Sequence, residues 1–90
     1  MNLKYTQQAE KDLSDFNKID QILIVKKIHY LLDNFDDLEN TNKITQLKGT
    51  KNKGLYRFKI AKKIRAIFQI KNDEIILLVL RIGLRKNIYK

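Results

Sequence analysis

The chain has no cysteine and a single histidine, His29. No disulfide can staple it, and no thiolate can hold a metal. One imidazole without cysteine partners does not make a zinc site, so neither a metal nor another cofactor is expected. His29 sits mid-helix in "VKKIHYLL", beside the apolar stripe described below, where a structural or surface role is expected. No apolar run approaches the roughly 18 residues of a membrane span. The opening "MNLKYTQQAEKD" lacks the apolar stretch of a signal peptide. These absences point to a cytoplasmic protein with no membrane partner.

Acidic residues are scarce in one half only. Residues 1–45 carry six Lys against eight Asp/Glu, a net −2, whereas residues 46–90 carry thirteen Lys/Arg against two acids, Asp73 and Glu74, a net +11. A bias toward lysine codons would spread the charge evenly along the chain. A basic half beside a near-neutral one is the electrostatic footprint of a polyanionic partner.

Ninety residues are expected to form one domain, 1–90. A chain this short buries only about 60–70% of its unfolded surface, so its core must be compact. Residues 3–5 read as a short strand. Thr6 is an N-cap for a helix over 7–16, in which Ala9, Leu13 and Phe16 make one stripe. A second helix spans about 19–35, with Ile24, Ile28, Leu31 and Phe35 in one stripe and Ile22, Val25 and Leu32 beside it. The break at Asn17 and Lys18 predicts an antiparallel helical hairpin. Residues 36–50 are polar and irregular, anchored by Leu38, Ile44 and Leu47. "KGTKNKG" reads as a loop; it lacks the spacing and following helix of a phosphate-binding loop. Strands follow at about 55–60, 64–70 and 75–82, with "KNDE" turning between the last two. The final strand, "IILLVL", is apolar on both parities, as an interior strand should be. The order β-α-α-β-β-β predicts an α+β fold: a small four-stranded antiparallel sheet, two amino-terminal helices on one face, the other face open.

The stretch "LYRFKIAKKIRAIFQI" carries the sharpest signal. With a turn at 61–63, Ile60 pairs with Ile64 and Lys59 stands opposite Arg65. Tyr56, Phe58, Ile60, Ile64, Ala66, Phe68 and Ile70 then point toward the helices, and Arg57, Lys59 and Arg65 point away. Like charges directly opposite each other destabilise a strand pair; the cost is modest for a surface pair screened by water, and the pair becomes useful when an anion sits between them. A phosphodiester supplies that charge, and arginine's planar fork suits it. Lys62 and Lys63 in the turn, and Lys86 and Lys90 near the end, are candidates for non-specific phosphate contacts. In "RIGLRKNIYK", Gly83 can let the chain leave the sheet. Tyr89 either stacks on a base or packs its ring on the sheet as a terminal clamp.

Taken together, "LKG", "LYRFKI", "IRAIF" and "RIGLRKNIY" resemble the RelE/ParE superfamily of bacterial type II toxins, nearer the RelE branch, over essentially the whole chain. The resemblance implies a cognate antitoxin as partner. In the RelE branch it implies cleavage of ribosome-bound mRNA; in the ParE branch, poisoning of DNA gyrase. The ribonuclease branch's catalytic residues match Arg57, Lys59, Arg65, Arg85 and Tyr89. Many relatives carry histidine where this chain has Leu84, which cannot move a proton.

RNA brings its own nucleophile, the 2′-hydroxyl, so such an enzyme must align that oxygen and stabilise the charge developing on the phosphate. Arg65, helped by Arg85, is expected to stabilise charge, and Lys59 or Arg57 to position the phosphate. Tyr89 would stack or exchange a proton. Unperturbed lysine and tyrosine titrate near 10. So weak an acid–base set suits an enzyme that relies on the ribosome to position its substrate. A ParE-like gyrase poison and a basic RNA-binding module that does not cut remain the rivals.

Overall fold

A computed structural model describes residues 2–49, 54–71 and 76–86. The "KNDE" turn beyond Lys71, most of the "KGTKNKG" loop, and Tyr89 and Lys90 lie outside the described residues. The elements are β1 (Asn2–Tyr5), α1 (Gln7–Ser14), α2 (Lys18–Asp33), α3 (Phe35–Leu38), β2 (Ile44–Gln46), β3 (Leu55–Lys59), β4 (Ile64–Lys71) and β5 (Ile76–Leu84).

Both long helices begin where the sequence supplies a cap. Thr6 is extended, and its Oγ1 accepts from the Ala9 N–H at 3.0 Å. Asn17 does the same for α2, its Oδ1 accepting from the Asp20 N–H at 2.8 Å. Each cap satisfies one of the donors a helix start leaves unpaired. On α2, Ile24, Ile28 and Leu31 are fully buried against the sheet. Ile22, expected beside that stripe, is instead 63% exposed, and Ile19 is 80% exposed. Two residues turn a helix by about 200°, so Ile22 faces away from Ile24.

The sheet has five strands in the order β1-β5-β4-β3-β2, one more than expected. The added strand, β2, pairs antiparallel with β3 through Ile44 opposite Phe58. It offers one buried residue followed by two exposed ones, too short for an alternating pattern to reveal. Nor is the sheet wholly antiparallel: β1 pairs parallel with β5. Gly83 does not end β5, which continues to Leu84.

The core lies between α2 and the inner face of the sheet. Phe58, Ile60, Ile64, Ala66 and Phe68 are buried there, with Leu77, Val79 and Ile82 from β5, and Tyr56 and Ile70 pack against them. Tyr56 and Phe68, directly opposite in register, stack with ring centroids 5.3 Å apart, and Phe35 meets both edge-on at 88°. These are the favoured geometries of aromatic pairs.

β5 has a bulge where the register jumps: Ile67 pairs with Arg81, but Phe68 pairs with Val79. Polar groups around it are taken up by α1 and its cap. The Thr6 hydroxyl donates to Leu80 O at 2.8 Å, and Asp12 Oδ2 accepts from the Ile82 N–H at 3.0 Å. A bulge this close to the chain's first helix therefore leaves those two groups paired rather than stranded.

Candidate nucleic-acid interface

Register decides which side chains share a face, because directly opposed residues of a strand pair point the same way. Lys59 stands opposite Arg65, and Arg57 opposite Ile67. The next strand extends these rows, with Gly83 opposite Arg65 and Arg81 opposite Ile67. The outer face thus carries Lys59, Arg65 and Gly83 in one row and Arg57, Ile67 and Arg81 in the next. Ile67 is only 8% exposed, consistent with long basic stems on both sides shielding it.

Arg65 is also 8% exposed, and it grips the hairpin turn. Its Nη1 donates to Ala61 O at 2.6 Å, Lys62 O at 3.1 Å and Ile64 O at 3.2 Å. Arginine's planar fork of donors suits such a convergence of carbonyls. The turn is closed by Ile60 N–H to Ile64 O at 3.1 Å, and it receives a second tie from the Arg85 N–H, which donates to Lys63 O at 2.7 Å. The segment after β5 is therefore docked on the turn, and Lys63, Leu84, Arg85 and Lys86 line a cavity of about 420 Å³.

The hairpin thus brings Arg57, Lys59 and Arg65 onto one face, and gathers Lys62, Lys63, Arg85 and Lys86 at its end. Lys59, Lys62, Lys63, Arg85 and Lys86 are exposed. Tyr89 and Lys90, the remaining members of the expected set, lie outside the described residues. Leu84 pairs with Ile64 and is 39% exposed. His29 is exposed on α2. Among the described residues no group of three or more His, Cys, Asp or Glu could hold a metal ion, and no helix is long and apolar enough to cross a membrane.

Two features went unread in the sequence. Asp12 forms an ion pair with Arg81, Nε to Oδ2 at 2.8 Å, and also accepts from the Gln8 amide at 3.0 Å. Burial alone would raise the Asp12 pKa, but the hydrogen bonds from Arg81, the Ile82 N–H and Gln8, with the charge of Arg81, together hold it below the ordinary carboxylate value. The signal was present: an acid on the buried side of α1, and an arginine interrupting an otherwise apolar strand. The second feature is a cleft of about 370 Å³ between α2, the start of β2 and the end of β3, with Lys27, Lys43, Lys59 and Lys62 in its lining. Nothing in the sequence pattern linked Lys27 and Lys43 to the hairpin.

Residues 3–89 match the family described as ParE toxin of type II toxin-antitoxin system, parDE. The chain belongs to that family, and is a type II toxin of the RelE/ParE superfamily. It is similar to the YoeB–YefM toxin–antitoxin complex of Staphylococcus aureus, at 25% identity over 90% of this chain and 92% of that one, with a TM-score of 0.66. It also resembles a YoeB/ParE toxin from Agrobacterium tumefaciens, at 22% identity over 94% and 99% of the two chains, TM-score 0.72. The archaeal RelE–RelB complex from Pyrococcus horikoshii OT3 matches at 19% identity over 96% of each chain, TM-score 0.70. At 22% and 19% identity the likeness is one of fold. No curated protein sequence matches the chain.

Proposed function

We propose that this toxin is an endoribonuclease that cleaves ribosome-bound mRNA and so inhibits translation. The observation that carries the reading is the meeting of Lys59 and Arg65 across the hairpin, with the Arg85 segment hydrogen-bonded to the same turn. Cations placed side by side on neighbouring strands suit a phosphate whose charge grows during reaction. In the step itself, the 2′-oxygen attacks the adjacent phosphorus and the bond to the 5′-oxygen breaks. The 2′-proton is lost and the leaving oxygen gains one, giving a 2′,3′-cyclic phosphate and a 5′-hydroxyl. Arg57 and Lys59 position the phosphate, while Arg65 and Arg85 stabilise its charge. Tyr89 stacks on a base or exchanges a proton, and Lys62, Lys63, Lys86 and Lys90 hold the backbone. Leu84 takes no part in proton transfer, so alignment on the ribosome carries much of the rate.

The cognate antitoxin is the second partner. Support comes from the similar chains found in complexes named for a toxin and its antitoxin, and from the exposed Ile19 and Ile22 on α2, apolar surface that a partner would cover.

A second reading is favoured by the family's ParE name: a gyrase poison without nuclease chemistry. Mapping mRNA 5′ ends after induced expression separates the two. Cuts inside translated codons that vanish with the exposed Lys59 changed to Ala support the nuclease. Inhibited supercoiling with intact transcripts supports the gyrase poison and overturns cleavage.

A further inference from the structure

We propose that the cleft between α2, the start of β2 and the end of β3 is a subsite for one nucleotide of a single-stranded RNA. Lys27, Lys43, Lys59 and Lys62 hold its phosphates, and Tyr30 stacks on its base. That the strand is RNA rests on the function proposed above; the preference for a single strand rests on the cleft itself.

The cleft exists because β2 is short. The last link between the two strands is the Lys59 N–H, which donates to Lys43 O at 2.8 Å. The pairing register ends one residue earlier, at Ile44 opposite Phe58, so the edge of β3 beyond Lys59 has no β2 residue paired with it. Lys27 and Tyr30 reach this notch from α2, three residues apart and hence on one face of the helix. The buried Phe58 and Ile60 form its floor.

Four lysines are among the residues that line this space and no Asp or Glu is. Among the described residues, none of the four lysines has an ion pair. The acids nearest in sequence, Asp33 on α2 and Asp36, Asp37 and Glu39 at α3, are exposed and do not line the cleft. Four like charges around one cavity are unfavourable until an anion enters. Lysine binds phosphate as a compact point charge.

Tyr30 narrows the choice of anion. It is 49% exposed, and the ring pairs among the described residues join Phe35, Tyr56 and Phe68 without it. Core packing therefore does not account for an aromatic ring beside four lysines. A base with a free face does, since stacking and a basic groove are the two components of single-strand binding. Asn42, also in the lining, offers both an amide donor and an acceptor to a base edge. At about 370 Å³, the cleft is near the lower end of small-ligand sites, roughly 300–1,000 Å³, with room for one unstacked nucleotide and none for a duplex. Lys59 and Lys62 belong both to this cleft and to the hairpin end, so a strand bound here leads directly to the outer-face cations.

The test is fluorescence anisotropy with a labelled single-stranded 2′-O-methyl RNA of mixed sequence, which cannot be cut by 2′-hydroxyl attack, titrated over a range of salt. The double variant Lys27→Ala/Lys43→Ala is expected to bind about tenfold more weakly, with a log–log salt slope shallower by about 1.4, the value for two lost single-strand phosphate contacts. Tyr30→Ala should weaken binding at least about fivefold with the slope unchanged, and Tyr30→Phe should bind like wild type. Lys11→Ala, on α1, serves as the control. The subsite is overturned if wild type does not bind, or if the double variant keeps its affinity and slope. It is also overturned if Tyr30→Phe falls as far as Tyr30→Ala, or if a duplex of equal length displaces the probe equally well. Binding lost in the variants with no codon cuts by wild type sinks the nuclease and keeps the subsite. Codon cuts by wild type with unchanged binding in the variants do the reverse.

Discussion

Two arginines on neighbouring strands, Arg81 and Arg65, make different contacts. Arg81 meets a carboxylate, and the same Asp12 also takes the Ile82 N–H at the bulge. Its charge is answered by the protein, and the result is a joint between the first helix and the last strand. Arg65 gives one nitrogen to three carbonyl oxygens of the turn. Carbonyls accept hydrogen bonds and orient the guanidinium around the turn. One contact set is a strut between helix and strand, while the other fixes the turn of the hairpin. The acids follow the same division. Those of the amino-terminal half stay with the helices, while the described part of the hairpin has none.

The largest effect that would break this contrast is at Arg65. Arg65→Ala is expected to lower codon-specific mRNA cleavage about a hundredfold, in the range seen when a charge-stabilising donor is removed. Arg65→Lys should restore little, because one ammonium does not reproduce a planar fork. Primer extension on induced cells reads both variants. Lost thermal stability with full cleavage would make Arg65 a strut like Arg81.

Next comes Asp12→Ala, which leaves the buried Ile82 N–H without its partner and Arg81 without its counter-ion. A loss of about 2 kcal/mol in urea unfolding is expected. The Asp12 pKa also lies below its ordinary value. A depressed carboxyl contributes its full stability above the unfolded pKa, near 3.9, and loses it as pH falls through the folded value. Wild type should therefore lose stability on acidification below about pH 4, and Asp12→Asn should lose less over the same range. Equal acid sensitivity in the two proteins would remove Asp12 from the account.

The smallest effect is at Tyr5, whose hydroxyl is buried without a hydrogen-bond partner among the described residues. Burial raises its pKa. Tyr5→Phe removes a polar group that gains nothing where it is, and a gain of up to about 1 kcal/mol is expected in the same unfolding assay.

How much of this was legible depends on distance along the chain. The hairpin register was readable because alternation, a short turn and a cation on each strand lie within sixteen residues of sequence. The Thr6 cap was equally local, acting three residues ahead; Asn17, which caps α2 in the same way, reads in the sequence only as the break between the helices. Ile22 was misplaced although its angle from Ile24 was available. β2 was missed because one buried isoleucine makes no period. Arg65's grip on the turn was invisible because apolar and polar parity says where a side chain points, not which carbonyls it reaches.

The sequence by itself determined the charge division, the helix starts, the core-facing stripe of α2 and the face that bears Arg57, Lys59 and Arg65. Each follows from side-chain chemistry acting over a few residues. Only the tertiary structure decided that β1 runs parallel to β5, that Asp12 meets Arg81 sixty-nine positions away, and that Lys27 and Lys43 border the same cleft as the hairpin. Contacts at such separation have no local signature, because they depend on how all the elements pack at once to bury one small core.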